Sequence, residues 1–371
     1  MAELTRKLRS AWKNPGLVPR ILWRLAQARG GRHFTGLLKG WSFPPETVNF
    51  YPTAACNLNC AMCFIRFSEV VSDLDLGAWT TIVDQLKSFS PRIHLSGGEP
   101  LLFPEIDGLI AHIKAKGLFL HITTNGTLLA DHASDLVRQG VNQIEISIDG
   151  PRETHDRLRG VPGTFDRVMT GLEALQQHRG RSQLPLVKIN SIINHERPET
   201  MEGLVKAVAG FGVFEVQFIH PLFLSTAAIA QHRRYLRATI DRDVDCWLHA
   251  DRYRVEPKDI SQVIAAAGSL RRTPGIRVTV FPDFDAAQAE AYYHDQRDLI
   301  SLVKPQCAAM WNTATILANG DLESCPDYVV GNCLKQPFPE LWNAEPMRAL
   351  RRRIWDGKYF PVCRACCFFY Q

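Results

Sequence analysis

"CNLNCAMC", Cys56–Cys63, follows the β-prone run "TVNFYPT" at Thr47–Thr53 and precedes "FIRF". Its three thiols stand at C-x3-C-x2-C with no fourth thiol close by, whereas a structural zinc site takes four protein ligands, usually as two pairs. Three thiolates suit a [4Fe–4S] cluster in which one iron lacks a protein ligand. Such an iron is open to a substrate or cofactor.

Working outward from this run, short β-branched stretches alternate with longer amphipathic ones. In order they are "LGAWTTIVDQLKSF", "RIHLSG", "EIDGLIAHIKAKG", "LFLHITTNG", "DHASDLVRQG", "VNQIEISIDG", "FDRVMTGLEALQQH", "PLVKINSII", "TMEGLVKAVAGFG" and "VFEVQFIHP". This makes six β-then-α steps. Repeated βα units imply a parallel sheet, which right-handed crossovers wrap into a full or partial barrel with ligand sites at the C-terminal ends of the strands. The reading gives four segments: a basic amphipathic stretch at 1–46, the barrel core at 47–225, a mainly helical connection with one short strand near "IRVTVF" at 226–303, and a small cysteine-rich unit at 304–371.

Composition limits what the thiols do. The chain has 371 residues, 22% of them charged, a net charge of +5 and ten cysteines. It has no secretory signal pattern and no apolar run of the roughly 18 residues that span a membrane, so a cytoplasmic protein is expected. In that reducing compartment clustered cysteines point to metal or catalysis rather than disulfides. The modest charge gives no argument for nucleic acid. In the first segment Lys7, Arg9, Lys13, Arg20, Arg24, Arg29, Arg32 and Lys39 interleave with Trp12, Trp23, Trp41 and several leucines. That pattern reads first as a helical cap packed on the main domain, with a helix lying on an anionic membrane surface as the functional alternative.

With the strand-end motifs added, the sequence closely resembles the radical S-adenosylmethionine (SAM) superfamily, an α/β fold built on a partial (β/α)6 barrel. The resemblance implies that Cys56, Cys60 and Cys63 hold a [4Fe–4S] cluster, that its open iron chelates SAM, and that one electron cleaves SAM to a 5′-deoxyadenosyl radical. "SGGEP" at Ser96–Pro100 matches the family turn that meets the methionine amino group, which assigns Gly97, Gly98, Glu99 and Pro100 to SAM binding. Asn125 in "TTNG", Ser147 and Asp149 in "ISIDG", and Asn190 at the end of "VKIN" are carried over as further SAM contacts.

The C-terminal thiols Cys307, Cys325, Cys363 and Cys366 read as C-x17-C followed by C-x2-C. With the hairpin-like "ANGDLESC" they resemble the SPASM or shorter twitch extension, which implies one auxiliary [4Fe–4S] cluster. The full SPASM pattern has seven cysteines; six occur here after residue 304 and the C-x2-C-x5-C run is missing, which leaves Cys333 and Cys367 unassigned. A zinc ribbon is the rival reading of the two pairs. Cys333 and Cys367 are small packing residues or, in the sharper reading, one is a hydrogen-atom donor or a substitute ligand. Cys246 reads as a helix core residue.

Side chains placed to handle substrate are His155, Asp156 and Arg159 in "THDRLRG" and Gln217 and His220 in "VQFIHP". Arg159 has a second reading as a contact to the SAM carboxylate, and His220 has one as a satisfied core histidine. Together with Cys333, Arg159 and His220 form the catalytic expectation. The expected activity is dehydrogenation of a small molecule of the sugar or aminocyclitol kind, with the auxiliary cluster as electron acceptor and a flavodoxin- or ferredoxin-type reductant. Peptide maturation, redox-neutral epimerisation and, outside enzymes, an iron–sulfur electron carrier are the rivals.

Overall fold

In the computed structural model, residues 38–63, 73–180, 184–193, 197–244, 246–247, 250–251, 260–294 and 307–370 are described, together with the backbone alone of Cys367. The basic residues before Leu38, and the membrane reading that rests on them, lie outside these residues, as does the Cys367 side chain.

A single sheet runs through the molecule in the order β10-β9-β8-β1-β2-β3-β4-β5-β6-β7. Its centre is the six-strand series β1 (Thr47–Phe50), β2 (Arg92–Leu95), β3 (Phe119–Thr124), β4 (Gln143–Ser147), β5 (Leu186–Ile192) and β6 (Val213–Ile219). All neighbours in that series pair in parallel. Helices α1 (Leu76–Leu86), α2 (Ile106–Ala115), α3 (Leu129–Arg138), α4 (Arg152–Arg159), α5 (Thr164–Arg179) and α6 (Thr200–Val208) supply the crossovers. This is the partial (β/α)6 barrel expected from the sequence. The connection after β6 holds α7 (Thr226–Ile240), α8 (Ile260–Leu270), β7 (Arg277–Phe281) and α9 (Ala286–His294). Strand β7, the "IRVTVF" stretch, pairs in parallel with β6.

The C-terminal unit begins with α10 (Ala309–Asn312) and β8 (Thr313–Ile316) and continues through β9 (Asp321–Glu323) and β10 (Val329–Asn332) to α11 (Phe338–Trp342) and α12 (Glu345–Trp355). Strand β8 pairs in parallel with β1, residue Phe50 opposite Ile316, so this unit continues the barrel sheet. Strands β8 and β9 form the antiparallel hairpin foreseen in "ANGDLESC", and β10 adds a further antiparallel strand beside β9.

Local sequence explains the helices that carry the frame. In α1 the Asp75 carboxylate caps the Ala78 N–H at 2.8 Å, and Trp79, Ile82, Val83 and Leu86 recur at helical spacing on the buried side. Helices α3 and α5 approach closely because residue 171 is glycine, where a Cβ would lie 2.7 Å from that of Leu129.

The strands break the usual pattern of parallel sheets, which are apolar on both faces. One face packs under the helices through Val48, Phe50, Ile93, Leu95, Leu120, Ile122, Ile144, Ile146, Val187 and Ile189, all essentially fully buried. The alternate positions are polar and half-buried: Asn49, His94, His121, Thr123, Glu145, Ser147, Lys188, Asn190 and Gln217. A period of 2 in these parallel strands gathers the polar residues on the face away from the helices.

Candidate active site

The thiol loop starts where β1 ends. Cys56 is exposed and Cys60 and Cys63 are half-buried. Two neighbouring strand ends grip the loop. After β2, the Gly98 N–H donates to Thr53 O at 3.2 Å and the Glu99 N–H to Ala55 O at 2.8 Å. Only glycine allows this approach, since a Cβ at residue 98 would fall 2.2 Å from Ala55 O and 2.6 Å from Ala54 O. After β3, Asn125 Nδ2 donates to Asn57 Oδ1 at 2.9 Å and reaches Cys56 Sγ at 3.9 Å, while Asn57 Nδ2 donates to Thr127 Oγ1.

Glu99 is buried, and its carboxylate accepts from Leu101 N, Thr124 Oγ1 and Asn125 N at 3.1, 2.7 and 2.7 Å. Burial pushes its pKa up, and those three donors pull against the rise. A carboxylate has about four acceptor positions, so one remains for a further donor such as an amino group. Pro100 opens the short 3-10 turn behind it.

At the end of β4, Asp149 Oδ1 accepts from Ile192 N at 2.9 Å and Oδ2 lies 2.7 Å from Arg159 Nε, a charge contact whose angle is not that of an aligned hydrogen bond. Ser147 sits opposite Asn190 across the β4–β5 pair. Asn190 Nδ2 donates to Glu145 Oε2 at 2.8 Å while its Oδ1 is buried without a partner. Of the residues inferred at strand ends, Gly98, Glu99 and Asn125 bond to the thiol loop and Asp149 reaches it through Arg159, while Ser147 and Asn190 pair with each other across β4 and β5. His155 is fully buried; its Nδ1 accepts from Asp149 N at 3.2 Å, and burial lowers its pKa to about 4. Asp156 is occupied in capping the next helix, accepting from Gly163 N, Thr164 Oγ1 and Phe165 N.

Burial raises the thiols of Cys56 and Cys60, and the neighbouring Cys63 raises both further. All three thiols are carried on one short loop. Deprotonating them together calls for a cation among them, and a metal centre meets that demand because a coordinating thiol loses its proton outright. The donor set fits a three-thiolate cluster with an open iron.

A second set of thiols lies in the C-terminal unit. Cys307, Cys325, Cys363 and Cys366 line one cavity, whose other walls are mainly apolar and include Trp247, Met310, Ile354, Val362 and Phe369. Burial pushes Cys363 up to about 12, and burial with the nearby Cys363 and Cys307 raises Cys325 strongly. Four thiols around one space, Cys307 and Cys363 buried and Cys325 and Cys366 half-buried, fit a second, fully cysteine-ligated cluster. Among the described residues no group of three His, Cys, Asp or Glu is gathered as a single metal ion would need.

Other expected residues fall elsewhere. Cys333 is buried and does not line that cavity, and burial puts its thiol at about 12. Alternation along β6 sets His220 on the face opposite Gln217, among Phe284, Tyr292 and Tyr293, with Nδ1 2.6 Å from Tyr293 Oη. This is the core-histidine placement. Cys246 lies in a turn rather than in a helix, because the Asp327 carboxylate takes up its backbone N–H and that of Trp247.

The polar inner face was not singled out from the sequence, although its signal is there in His, Glu and Lys alternating with Ile and Val. Asn49 Nδ2 donates to Thr315 Oγ1, and its Oδ1 accepts from His94 Nδ1 at 3.0 Å, which leaves His94 Nε2 to accept from Thr123 Oγ1 at 2.8 Å. His94 stacks on His121 at 4.0 Å. Burial lowers both histidines, His94 to about 4, so both are neutral. Further round, Lys188 Nζ donates to Gln217 Oε1 at 3.0 Å and lies 3.9 Å from Glu145.

The profile of the radical SAM superfamily matches residues 50–208, and that of an iron–sulfur cluster-binding domain, SPASM, matches 307–367. An AdoMet-dependent heme synthase of Nitratidesulfovibrio vulgaris is 35% identical over 85% of this chain and 85% of its own. The chain belongs to the radical SAM superfamily. This radical SAM enzyme with a SPASM domain also resembles the PqqA peptide cyclase of Streptomyces rochei, 24% identical over 85% of this chain and 79% of the cyclase. In fold it is similar to Streptococcus suis SuiB bound to S-adenosylmethionine, with a TM-score of 0.66 at 14% identity, covering 98% of this chain and 84% of SuiB. The family membership implies SAM and [4Fe–4S] clusters as its cofactors. Among the described residues no helix is long and apolar enough to cross a membrane.

Proposed function

We propose that the enzyme oxidises a polar small molecule at an unactivated C–H bond. The observation that carries this reading is the enclosure of Cys307, Cys325, Cys363 and Cys366 around one cavity, separate from the three-thiol loop. Bound at the two thiol sets, iron–sulfur clusters and SAM supply reductive SAM cleavage, hydrogen-atom abstraction and a sink for the second electron. The substrate loses in sum a hydrogen atom, a proton and an electron. Cys56, Cys60 and Cys63 hold the first cluster; Gly97, Gly98, Glu99, Asn125, Ser147, Asp149 and Asn190 shape the SAM pocket. His121, Lys188 and Gln217 offer donors and acceptors to a hydroxyl- or amine-bearing molecule on this polar face. An electron carrier of the flavodoxin or ferredoxin type provides the reducing electron.

The sugar or aminocyclitol substrate class fits this wall of hydrogen-bonding groups. A tetrapyrrole is the second reading, favoured by the heme synthase relative that spans most of both chains. Anaerobically reconstituted protein should carry about eight irons per chain, and the true substrate class should accelerate 5′-deoxyadenosine formation when aminocyclitols and tetrapyrroles are compared. Iron near four, with one zinc per chain, would overturn the electron-sink reading.

A further inference from the structure

The thiol loop is gripped from a third side by the last turn of α4. The Asn59 N–H donates to Arg159 O at 3.1 Å and the Ala61 N–H to Leu158 O at 3.0 Å, which are carbonyls the helix itself leaves unused at its C-terminus. Gly160 closes α4 in the left-handed conformation, with φ of 73°, and a Cβ there would lie 2.3 Å from Asn59 O. The helix end and the loop are in backbone contact only because residue 160 has no side chain.

The same turn delivers a cation. Arg159 Nη1 reaches Cys60 Sγ at 3.8 Å while Nε lies 2.7 Å from Asp149 Oδ2, and the Asp149 side chain has no exposure. A guanidinium keeps its charge inside proteins, and here the Asp149 carboxylate stands beside it as its counter-ion. Asp149 is anchored in turn by Ile192 N, so the position of the guanidinium is set by the ends of β4 and β5.

We propose that Arg159 and Gly160 are positioning residues for the SAM-binding cluster: Gly160 holds the loop in its ligating shape, and the Arg159 cation beside Cys60 raises the cluster's reduction potential. This rests on the assignment of Cys60 as a cluster ligand. Reduction adds a negative charge to the cluster, and a fixed cation next to a ligand sulfur in a low-dielectric site stabilises the reduced form. Removing the cation makes the cluster harder to reduce. Opening the helix-to-loop contact leaves the charge in place but lets the loop move.

The test uses the full-length reconstituted enzyme, with potentiometric titration followed by the EPR signal of the SAM-site cluster and with iron loss to a chelator measured in parallel. Arg159→Met should lower the reduced fraction at fixed potential about tenfold, equivalent to about 59 mV for one electron, and Arg159→Lys should restore at least half of that shift. Gly160→Ala should speed iron loss about tenfold without moving the potential. An Arg159→Met cluster with the parent's potential, or Gly160→Ala losing iron at the parent's rate, overturns the proposal. If Arg159→Met takes up no SAM-site cluster, Arg159→Lys decides: uptake supports the role of the charge and equal failure refutes it. Cys60→Ala separates the premise from the inference, because a variant that keeps a stable SAM-site cluster removes the ligand assignment itself.

Discussion

Gly98→Ala tests how far the chemistry depends on one close approach. The added Cβ would sit 2.2 Å from Ala55 O and 2.6 Å from Ala54 O, both backbone atoms that cannot swing aside. Contact between such atoms is comfortable at about 3.5 Å or more, so the two carbonyls must retreat by about an ångström, that of Ala55 the further. That movement breaks the hydrogen bonds from Gly98 N to Thr53 O and from Glu99 N to Ala55 O. Two lost backbone bonds at about 1 kcal/mol each, with about 1–3 kcal/mol for overpacking, give an expected loss of roughly 3–5 kcal/mol if the loop holds its place. If the loop yields instead, stability falls less, but Cys56 moves, and a shift of about 1 Å at a reacting centre costs on the order of 100-fold in rate. Anaerobic urea unfolding, iron content and 5′-deoxyadenosine formation distinguish the two routes. Gly117→Ala is the control, with φ of 71° but nothing within 4 Å of its added Cβ; it should cost about 1–2 kcal/mol of backbone strain and leave the iron content alone. A Gly98→Ala protein equal to its parent in all three measurements would refute the reasoning.

Other outcomes follow from the same geometry. Replacing Cys363 and Cys366 with Ala should reduce iron from about eight to about four per chain and abolish product while slow, uncoupled 5′-deoxyadenosine formation continues; a folded variant making oxidised product at the parental rate would point to redox-neutral chemistry. His94 and His155, held neutral with values of about 4, add stability that is complete above the ordinary value of 6.5 and is lost as pH falls towards 4, because the unfolded chain takes up protons that the folded chain refuses. Each contributes a loss of about 2 kcal/mol near pH 5 relative to pH 7.5, so urea midpoints should drop over that interval and His94→Gln should flatten the slope; a level profile would contradict it. Arg351 is fully buried and donates to Gly40 O, Met310 O, Trp342 O and Asn343 Oδ1. Burial depresses it to about 9, yet Arg351→Met should still destabilise by about 2–4 kcal/mol in urea unfolding because it strands buried acceptors, and an unchanged midpoint would mean that relief of the buried charge cancels that cost.

The sequence by itself determined the class of chemistry, because both of its carriers are local. The spacing of Cys56, Cys60 and Cys63 is a property of eight residues, and the six βα steps are read from periods of 2 and 3.6 within each segment. Strand ends were legible for the same reason, since Gly98, Asn125, Asp149 and Asn190 follow runs of β-branched residues. What joins distant parts of the chain was not legible. The contact of Arg159 with Cys60 spans 99 residues and that of Arg351 with Gly40 spans 311, and no local pattern records which partner a cation will find. Likewise His220 could point either way until the register of β6 and the aromatic side chains of α9 set its face, and Cys246 lost its helix to a carboxylate 81 residues away. The polar inner wall lies between these cases. Its alternation is written in each strand, but that His94 stacks on His121 and that Lys188 meets Gln217 follows only from the pairing register, which sets the first pair opposite each other and the second on a diagonal.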